Sequence, residues 1–307
     1  MSDYRNDLRV VVLSGGVGGA RLARGFDAVV DDVTVVVNTG DDEAMYGLHV
    51  SPDLDTVVYT LARTEGPAGW GLSGDTFDVM GHLGALGIDN RFQIGDRDLA
   101  TNLARTMRLR HGTPLSEITA DLAAAFGVRA RVLPATDDPV PTGIRSGDRW
   151  LSFQEYFVLR AAADPVDEVR YEGAATARPA PGVVETIERA TLVMIAPSNP
   201  PLSIWPILAI PAIRAAVADA RRVVAVSPLF GGKALKGPAD RVMAGLGLAA
   251  GNQGVADAYA GLITDLVIDI GDAAEPVATD ATVHAVDTRI ADPDAAARFA
   301  RLLLDLA

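Results

Sequence analysis

Leu8-Arg9-Val10-Val11-Val12-Leu13-Ser14-Gly15-Gly16-Val17-Gly18-Gly19-Ala20 is the stretch on which the reading of the fold turns. A short β-branched run that ends in glycines reads as a buried strand entering a tight turn. Ala20 to Val29 then reads as a helix. Val33-Thr34-Val35-Val36-Val37 reads as a second buried strand, closing on Asn38-Thr39-Gly40-Asp41-Asp42. Strand, helix, strand in this order predicts parallel pairing through a right-handed crossover.

The same alternation continues downstream. Thr191–Ala196 and Arg222–Val226 read as strands ending at Pro197-Ser198-Asn199-Pro200 and Ser227-Pro228, with weaker strands at Leu266–Ile270 and Val283–Val286. Helical spacing fits Asp53–Ala62, Asp75–Leu86, Asp96–Arg110, Leu115–Phe126, Ile210–Ala220, Asp240–Leu246 and Pro293–Leu306. The pattern predicts an α/β fold with a doubly wound, mainly parallel sheet. Residues 66–129 read as almost wholly helical, an insertion into a core made of 1–65 and 130–307, all one continuous catalytic unit. The stretch 134–180 is rich in Pro, Asp and Gly and less periodic.

Composition narrows the function. The 307 residues are 49% apolar and carry a net charge of −13, from 40 acidic and 27 basic side chains. That charge argues against nucleic-acid binding or an anionic membrane surface, both of which need a basic face. The absence of cysteine excludes disulfides, thiolate metal sites and cysteine nucleophiles. The four histidines, His49, His82, His111 and His284, are scattered and predict no histidine metal site. The polar opening Met1–Asp7 does not read as a signal peptide, and no apolar run approaches a membrane span, so a cytoplasmic protein is expected. Lys233 and Lys236 are the only lysines in an arginine-rich chain. They reflect either chance or a place for a compact ammonium beside phosphate.

In open α/β sheets ligands sit beyond the carboxyl ends of the strands. The first such loop, with Gly15, Gly16 and Gly18, offers backbone amides and a helix N-terminus to a phosphate or carboxylate. It can also serve only tight strand–helix packing; four glycines in five residues favour the anion site. It is neither a dinucleotide fingerprint, since Arg21 stands at the third glycine position, nor a Walker A loop. Asn38, Asp41 and Asp42 end the second strand. Asp53 and Asp55 open the next helix, where capping and the helix dipole explain one of them. Four aspartates near one strand end suit magnesium with phosphate oxygens. Arg97, a cation in the first turn of a helix, is better tolerated against an anion. Asn199 can meet a base or ribose, and Ser227 leads into the loop that carries Lys233.

Nine segments in order resemble the 2-phospho-L-lactate transferase family, whose actinobacterial branch transfers phosphoenolpyruvate. They are Leu13–Arg21, Val37–Asp42, Ser51–Thr56, Gly74–Phe77, Gly95–Asp98, Leu133–Asp138, Phe153–Glu155, Ala196–Pro200 and Ser227-Pro228. The resemblance spans almost the whole chain. It implies a Rossmann-like core, a homodimer, Mg2+, a guanosine diphosphate-linked donor, the deazaflavin alcohol FO as acceptor and GMP as leaving group, in coenzyme F-420 biosynthesis.

By similarity Asp55 and Gln93 contact the deazaflavin. Asp41 and the Asp53–Asp55 pair match the metal and catalytic acids, with Asp42 a further metal candidate. The loop Gly16–Arg21 has the bacterial form, which tilts the donor toward phosphoenolpyruvate. Trp205 stands where a glycine is more usual, and would narrow the space near Ser198-Asn199.

On this reading the acceptor hydroxyl attacks phosphorus and GMP leaves. Asp41 and Asp53 hold magnesium, Asp55 takes or orients the hydroxyl proton, and Arg97, Lys233 and the first-loop amides hold the diphosphate. Asp55 gains little from capping, so Asp55→Asn is expected to keep near-normal stability. One rival is a non-catalytic nucleotide-sugar-binding regulator of the same superfamily, the gluconeogenesis-factor branch. It typically carries a Pro-Gly-Asp-Ile-Arg-Asn type segment where this chain has Pro52-Asp53-Leu54-Asp55-Thr56. The other is an NAD-dependent oxidoreductase. It lacks its third glycine and has Asn38 where a ribose-binding acid belongs.

Overall fold

In the computed structural model, which describes residues 8–306, the opening forms the expected unit. It consists of β1 (Arg9–Ser14), α1 (Gly16–Asp27) and β2 (Asp32–Val37). β1 and β2 pair in parallel, Val10 opposite Val33 and Ser14 opposite Val37. Residues 1–7, read above as no signal peptide, lie outside the described part.

The chain continues through the hairpin β3 (Glu43–Met45) and β4 (Leu48–Val50). Next come α2 (Pro52–Leu61), α3 (Asp78–Ala85), α4 (Asp96–Arg110), α5 (Leu115–Ala125) and β5 (Arg131–Pro134). A small antiparallel sheet follows, made of β6 (Thr142–Ser146), β7 (Arg149–Ser152) and β8 (Glu168–Tyr171). After it run α6 (Val183–Arg189), β9 (Leu192–Ile195), α7 (Trp205–Leu208), α8 (Pro211–Ala218) and β10 (Val223–Val226). The chain closes with the short hairpin β11 (Leu229–Phe230) and β12 (Lys233–Ala234), then α9 (Ala239–Gly245), α10 (Gly251–Ala258), β13 (Asp265–Asp269), β14 (Thr282–Val286) and α11 (Pro293–Leu306).

Seven strands make one parallel sheet in the order β14-β13-β10-β9-β1-β2-β5. The chain winds outward from β1 to β5, returns to β1's other side as β9, and winds outward again to β14. The direction of winding therefore switches between β1 and β9, and a ligand crevice opens there at the carboxyl ends.

Strand side chains alternate between two apolar layers. Val10, Val12, Val33 and Val35 join Leu22, Phe26, Tyr59 and Phe299 on the face covered by α1, α2 and α11. Val11, Leu13 and Val36 join Ile187, Ile213 and Tyr259 on the face covered by α6, α8 and α10. Burial on both faces is why these strands read as unbroken apolar runs.

The structure differs from the sequence reading in several places, the short hairpins β3–β4 and β11–β12 and the helices α6 and α10 among them. α1 starts at Gly16, not Ala20, so the glycine loop is already the first helical turn. Just beyond the helical stretch, Arg131–Pro134, not anticipated as a strand, is the edge strand β5, paired with β2. The Pro- and Gly-rich stretch 134–180 contains a real sheet, its strands only 4–5 residues long.

α3 and α4 are joined by reciprocal caps. Asp75 accepts from the amides of Arg97 (2.9 Å) and Asp98 (3.1 Å) at the start of α4. Asp96 accepts from the amides of Asp78 and Val79 (3.0 Å each) at the start of α3. Among the described residues, no single helix is long and apolar enough to cross a membrane.

Candidate active site

The crevice at the switch point is built from the ends of β1, β2 and β9 and the start of α2. Asn38, fully buried after β2, is its hub. Its Nδ2 donates to Asp53 Oδ2 (2.9 Å) and Asp41 Oδ1 (3.3 Å), and its Oδ1 accepts from Gly40 N (2.8 Å). Asp41 Oδ2 accepts from Asp53 N (3.1 Å), and Asp53 Oδ1 accepts from Gly16 N (2.6 Å). Asp53 therefore does not cap its own helix. It joins α2 to the first turn of α1.

The glycines make this approach possible. A Cβ on Gly15 would lie 2.6 Å from Asp53 Oδ2, and Gly16 sits at φ 66°, which disfavours residues with a Cβ. From the β9 side Ser198 Oγ donates to Gly15 O (2.6 Å), which ties the two loops across the crevice.

Two acids at such close quarters resist ionisation. Burial raises the Asp41 carboxyl well above the usual range, and the charges of Asp53 and Asp42 push it further. Burial also raises Asp53 to about 6, although hydrogen bonds from Asn38 and Gly16 pull it back. Neither has an ion-pair partner among the described residues. Asp42 Oδ2 accepts from Ser51 Oγ (2.8 Å) and lies 3.0 Å from His49 Nε2. Its Oδ1 is buried and has no partner, as are Ser14 Oγ and Asn199 Nδ2 at the ends of β1 and β9.

No three carboxylate or imidazole groups among the described residues form a complete metal site. The donor set fits magnesium nonetheless, because that ion is usually held by one or two carboxylates with substrate phosphates and waters. The close buried pair and the unpartnered Asp42 Oδ1 are what it would need from the protein.

Asp55 follows Asp53 by two residues on α2, so it leaves the helix on a different side and has a different partner. Its Oδ1 accepts from Nη2 of Arg105, a fully buried arginine on α4. Burial raises the Asp55 carboxyl, and the Arg105 guanidinium draws it back down.

The remaining sequence candidates are dispersed. Asn199 also accepts from Leu202 N (3.2 Å) through Oδ1. Ser227 is fully buried, and its Oγ donates to Asn252 Oδ1 (2.6 Å). Arg97 is exposed and bonds to Ser73 O. It lines a cavity of about 400 Å3 with Arg63, Thr64, Leu72, Ser73 and Phe126, away from the carboxylates. Gln93 is exposed and donates to Asn90 O. Lys233 is exposed on β12. Trp205 turns its indole to Ala258 O (3.1 Å).

Several site residues escaped the sequence reading. Gln154 is buried and donates to Asp41 O (2.8 Å), while its own amide donates to Glu43 Oε2 (3.1 Å). The small sheet thus clamps the Asp41 loop. Arg105 escaped because its partner is fifty residues away. A signal existed: Asp98, Asn102 and Arg105 fall at i, i+4 and i+7, a polar stripe along one face of a helix.

Residues 10–300 match the family described as 2-phospho-L-lactate transferase CofD. The chain is 42% identical to the phosphoenolpyruvate transferase of Kitasatospora aureofaciens, over 98% of each chain. It is 40% identical to the 2-phospho-L-lactate transferase of Methanopyrus kandleri, over 97% of each. The crystal structure of the Bacillus halodurans protein BH3568 superposes with a TM-score of 0.65 at 18% identity, covering 97% of this chain and 99% of that one, a likeness of fold alone. With the carboxylate pair at the switch point and the match running nearly end to end, the chain belongs to the 2-phospho-L-lactate transferase CofD family.

Proposed function

We propose that this protein moves a 2-phospholactyl or phosphoenolpyruvyl group from a guanosine diphosphate-linked donor to the deazaflavin alcohol FO, releasing GMP, in coenzyme F-420 biosynthesis. The observation that carries the reading is the buried Asp41–Asp53 pair, held by Asn38 against the first turn of α1. Carboxylates placed where helix amides also converge suit an enzyme that handles a diphosphate, because metal and amides together neutralise its charge.

The primary hydroxyl oxygen of FO attacks the phosphorus that bears the lactyl or enolpyruvyl group. The bond from that phosphorus to the bridging oxygen breaks, and its electron pair leaves with GMP. The hydroxyl proton passes to Asp55, whose Oδ2 makes no hydrogen bond to any described residue. Amides of the first turn of α1 beyond Gly16, whose own amide is taken by Asp53, hold donor phosphate, and Asn199 Nδ2 supplies a further donor. Asp41 and Asp53 would hold magnesium, with Asp42 beside them, and when bound it would neutralise diphosphate charge and polarise its oxygens. The bacterial form of the first loop favours the enolpyruvyl donor.

A second copy of the chain is the proposed partner. The support is a set of exposed apolar side chains, Val79 on α3, Leu86 just after it, and Leu103 and Met107 on α4. The cytoplasm, where nucleotide-activated donors are made, is the proposed location.

Calorimetry with FO, GDP, a UDP-sugar and NAD tests the assignment. FO and GDP are expected to bind. Binding of the UDP-sugar or NAD without FO would overturn it in favour of a regulator or an oxidoreductase.

A further inference from the structure

Arg105 lies in the third turn of α4 and is 1% exposed. Its guanidinium is shared out with little redundancy. Nη2 bonds to Asp55 Oδ1. Nη1 donates to Asn102 Oδ1 (2.8 Å) and to the carbonyl of His49 (3.4 Å). Nε is buried without a partner. Asn102 is itself fully buried and donates to the carbonyl of Asp98 (2.9 Å). Asp98 accepts from Tyr59 Oη (2.8 Å), which returns the network to α2, the helix of Asp55. Bonds to Asp55, Asn102 and the His49 carbonyl hold the guanidinium between α2, α4 and β4.

Such a group is a poor choice for stability alone. Taking an ion pair out of water costs about as much as the pair returns, and apolar side chains of similar volume are often as good or better. What the arrangement does provide is a carboxylate with one oxygen pinned and one left over. Two nitrogens of a rigid, planar guanidinium, one on Asp55 and one on α4 and β4, fix where that carboxylate stands.

We propose that Arg105 is a positioning residue for the transfer: it anchors Asp55 through Oδ1 so that Oδ2 stands ready for the acceptor hydroxyl. This rests on the reading of Asp55 as the group that receives the hydroxyl proton. Arg105 touches neither substrate. Its effect therefore falls on the rate of the chemical step and not on donor binding.

Arg105→Lys is the informative change. It keeps a cation but replaces the planar fork by a single ammonium that cannot span Asp55 and Asn102 together. The experiment measures kcat, the KM for each substrate, GDP affinity by calorimetry, and melting temperature. It covers the parent, Arg105→Lys, Arg105→Gln, Asn102→Ala, Asp55→Asn, and Arg105→Gln combined with Asp55→Asn.

For Arg105→Lys we expect kcat to fall about 100-fold, the low end for losing general-base help, with GDP affinity within twofold. The double variant should be no slower than Asp55→Asn, because both changes remove one function. Asn102→Ala, which leaves Arg105 in place but removes its anchor, should lower kcat in the same direction and serves if Arg105→Lys does not fold. Parental kcat in Arg105→Lys or Asn102→Ala, or losses that multiply in the double variant, would overturn the proposal. A parent that releases no GMP with either donor would instead overturn the transferase reading beneath it.

Discussion

At the scale of single residues, the buried acids divide into two sets with different physics. Asp41 and Asp53 repel one another and are held by neutral donors. Asp55 is neutralised by Arg105. That pairing reverses the expectation drawn from the helix position of Asp55. Asp55→Asn should not be thermally silent, since it leaves a buried guanidinium without its counter-charge, a defect that typically costs about 3–5 kcal/mol. Thermal denaturation is expected to show a clear fall in melting temperature, and single-turnover assay a loss of at least about 100-fold. Asp98 makes a separate prediction. Burial, with the Asp55 charge, raises its carboxyl from 3.8 to about 7. A proton held more tightly in the folded state stabilises fully below pH 3.8, and that contribution is lost as pH rises through 7. The melting temperature of the parent should therefore fall relative to Asp98→Asn between about pH 4 and pH 7, then run level. Parallel curves over that range would show that Asp98 is ionised throughout.

At the scale of elements, what could be read in advance follows from how much of each signal is local. β1, β2, β9 and β10 announce themselves because strands buried on both faces are short apolar runs, and because their loops need Gly, Asn or Pro. β5 is only four residues, Arg131-Val132-Leu133-Pro134, at the sheet edge, and follows a helical stretch that masks it. β6, β7 and β8 mix apolar and polar residues over lengths too short for a periodic pattern to stand out. The carboxylates were visible as a group, since Asp41, Asp42, Asp53 and Asp55 lie in two nearby loops. Arg105 was not, because it reaches the site from a distant element and only folding brings it there; Gln154 stood in the segment Phe153–Glu155, but nothing local tied it to the Asp41 loop. The interlocked caps of α3 and α4 are a local device with a measurable worth. Asp75→Ala removes the acceptor for two amides of α4. It should cost about 1 kcal/mol, the usual worth of a helix cap. Unchanged melting behaviour would show that water replaces the cap.

At the scale of the whole molecule, the sheet order places the glycine turn of β1 and the Asn199 loop of β9 on either side of one crevice. The α3–α4 pair carries the exposed apolar side chains Val79, Leu103 and Met107. If that surface joins two copies, sedimentation equilibrium should give a dimer for the parent and a monomer for Leu103→Glu combined with Met107→Glu. A dimer persisting in that variant would place the interface elsewhere. In the proposed reaction the acids at the switch point serve phosphoryl transfer to a deazaflavin alcohol. Single-turnover release of GMP, followed with FO and each guanosine-linked donor, with magnesium and after confirmed removal of divalent metal, tests it most directly. The prediction is stoichiometric GMP and a matching phosphodiester of FO with magnesium, and loss of both without it. Product formed at the same rate in metal-free enzyme, or none with either donor, would contradict it.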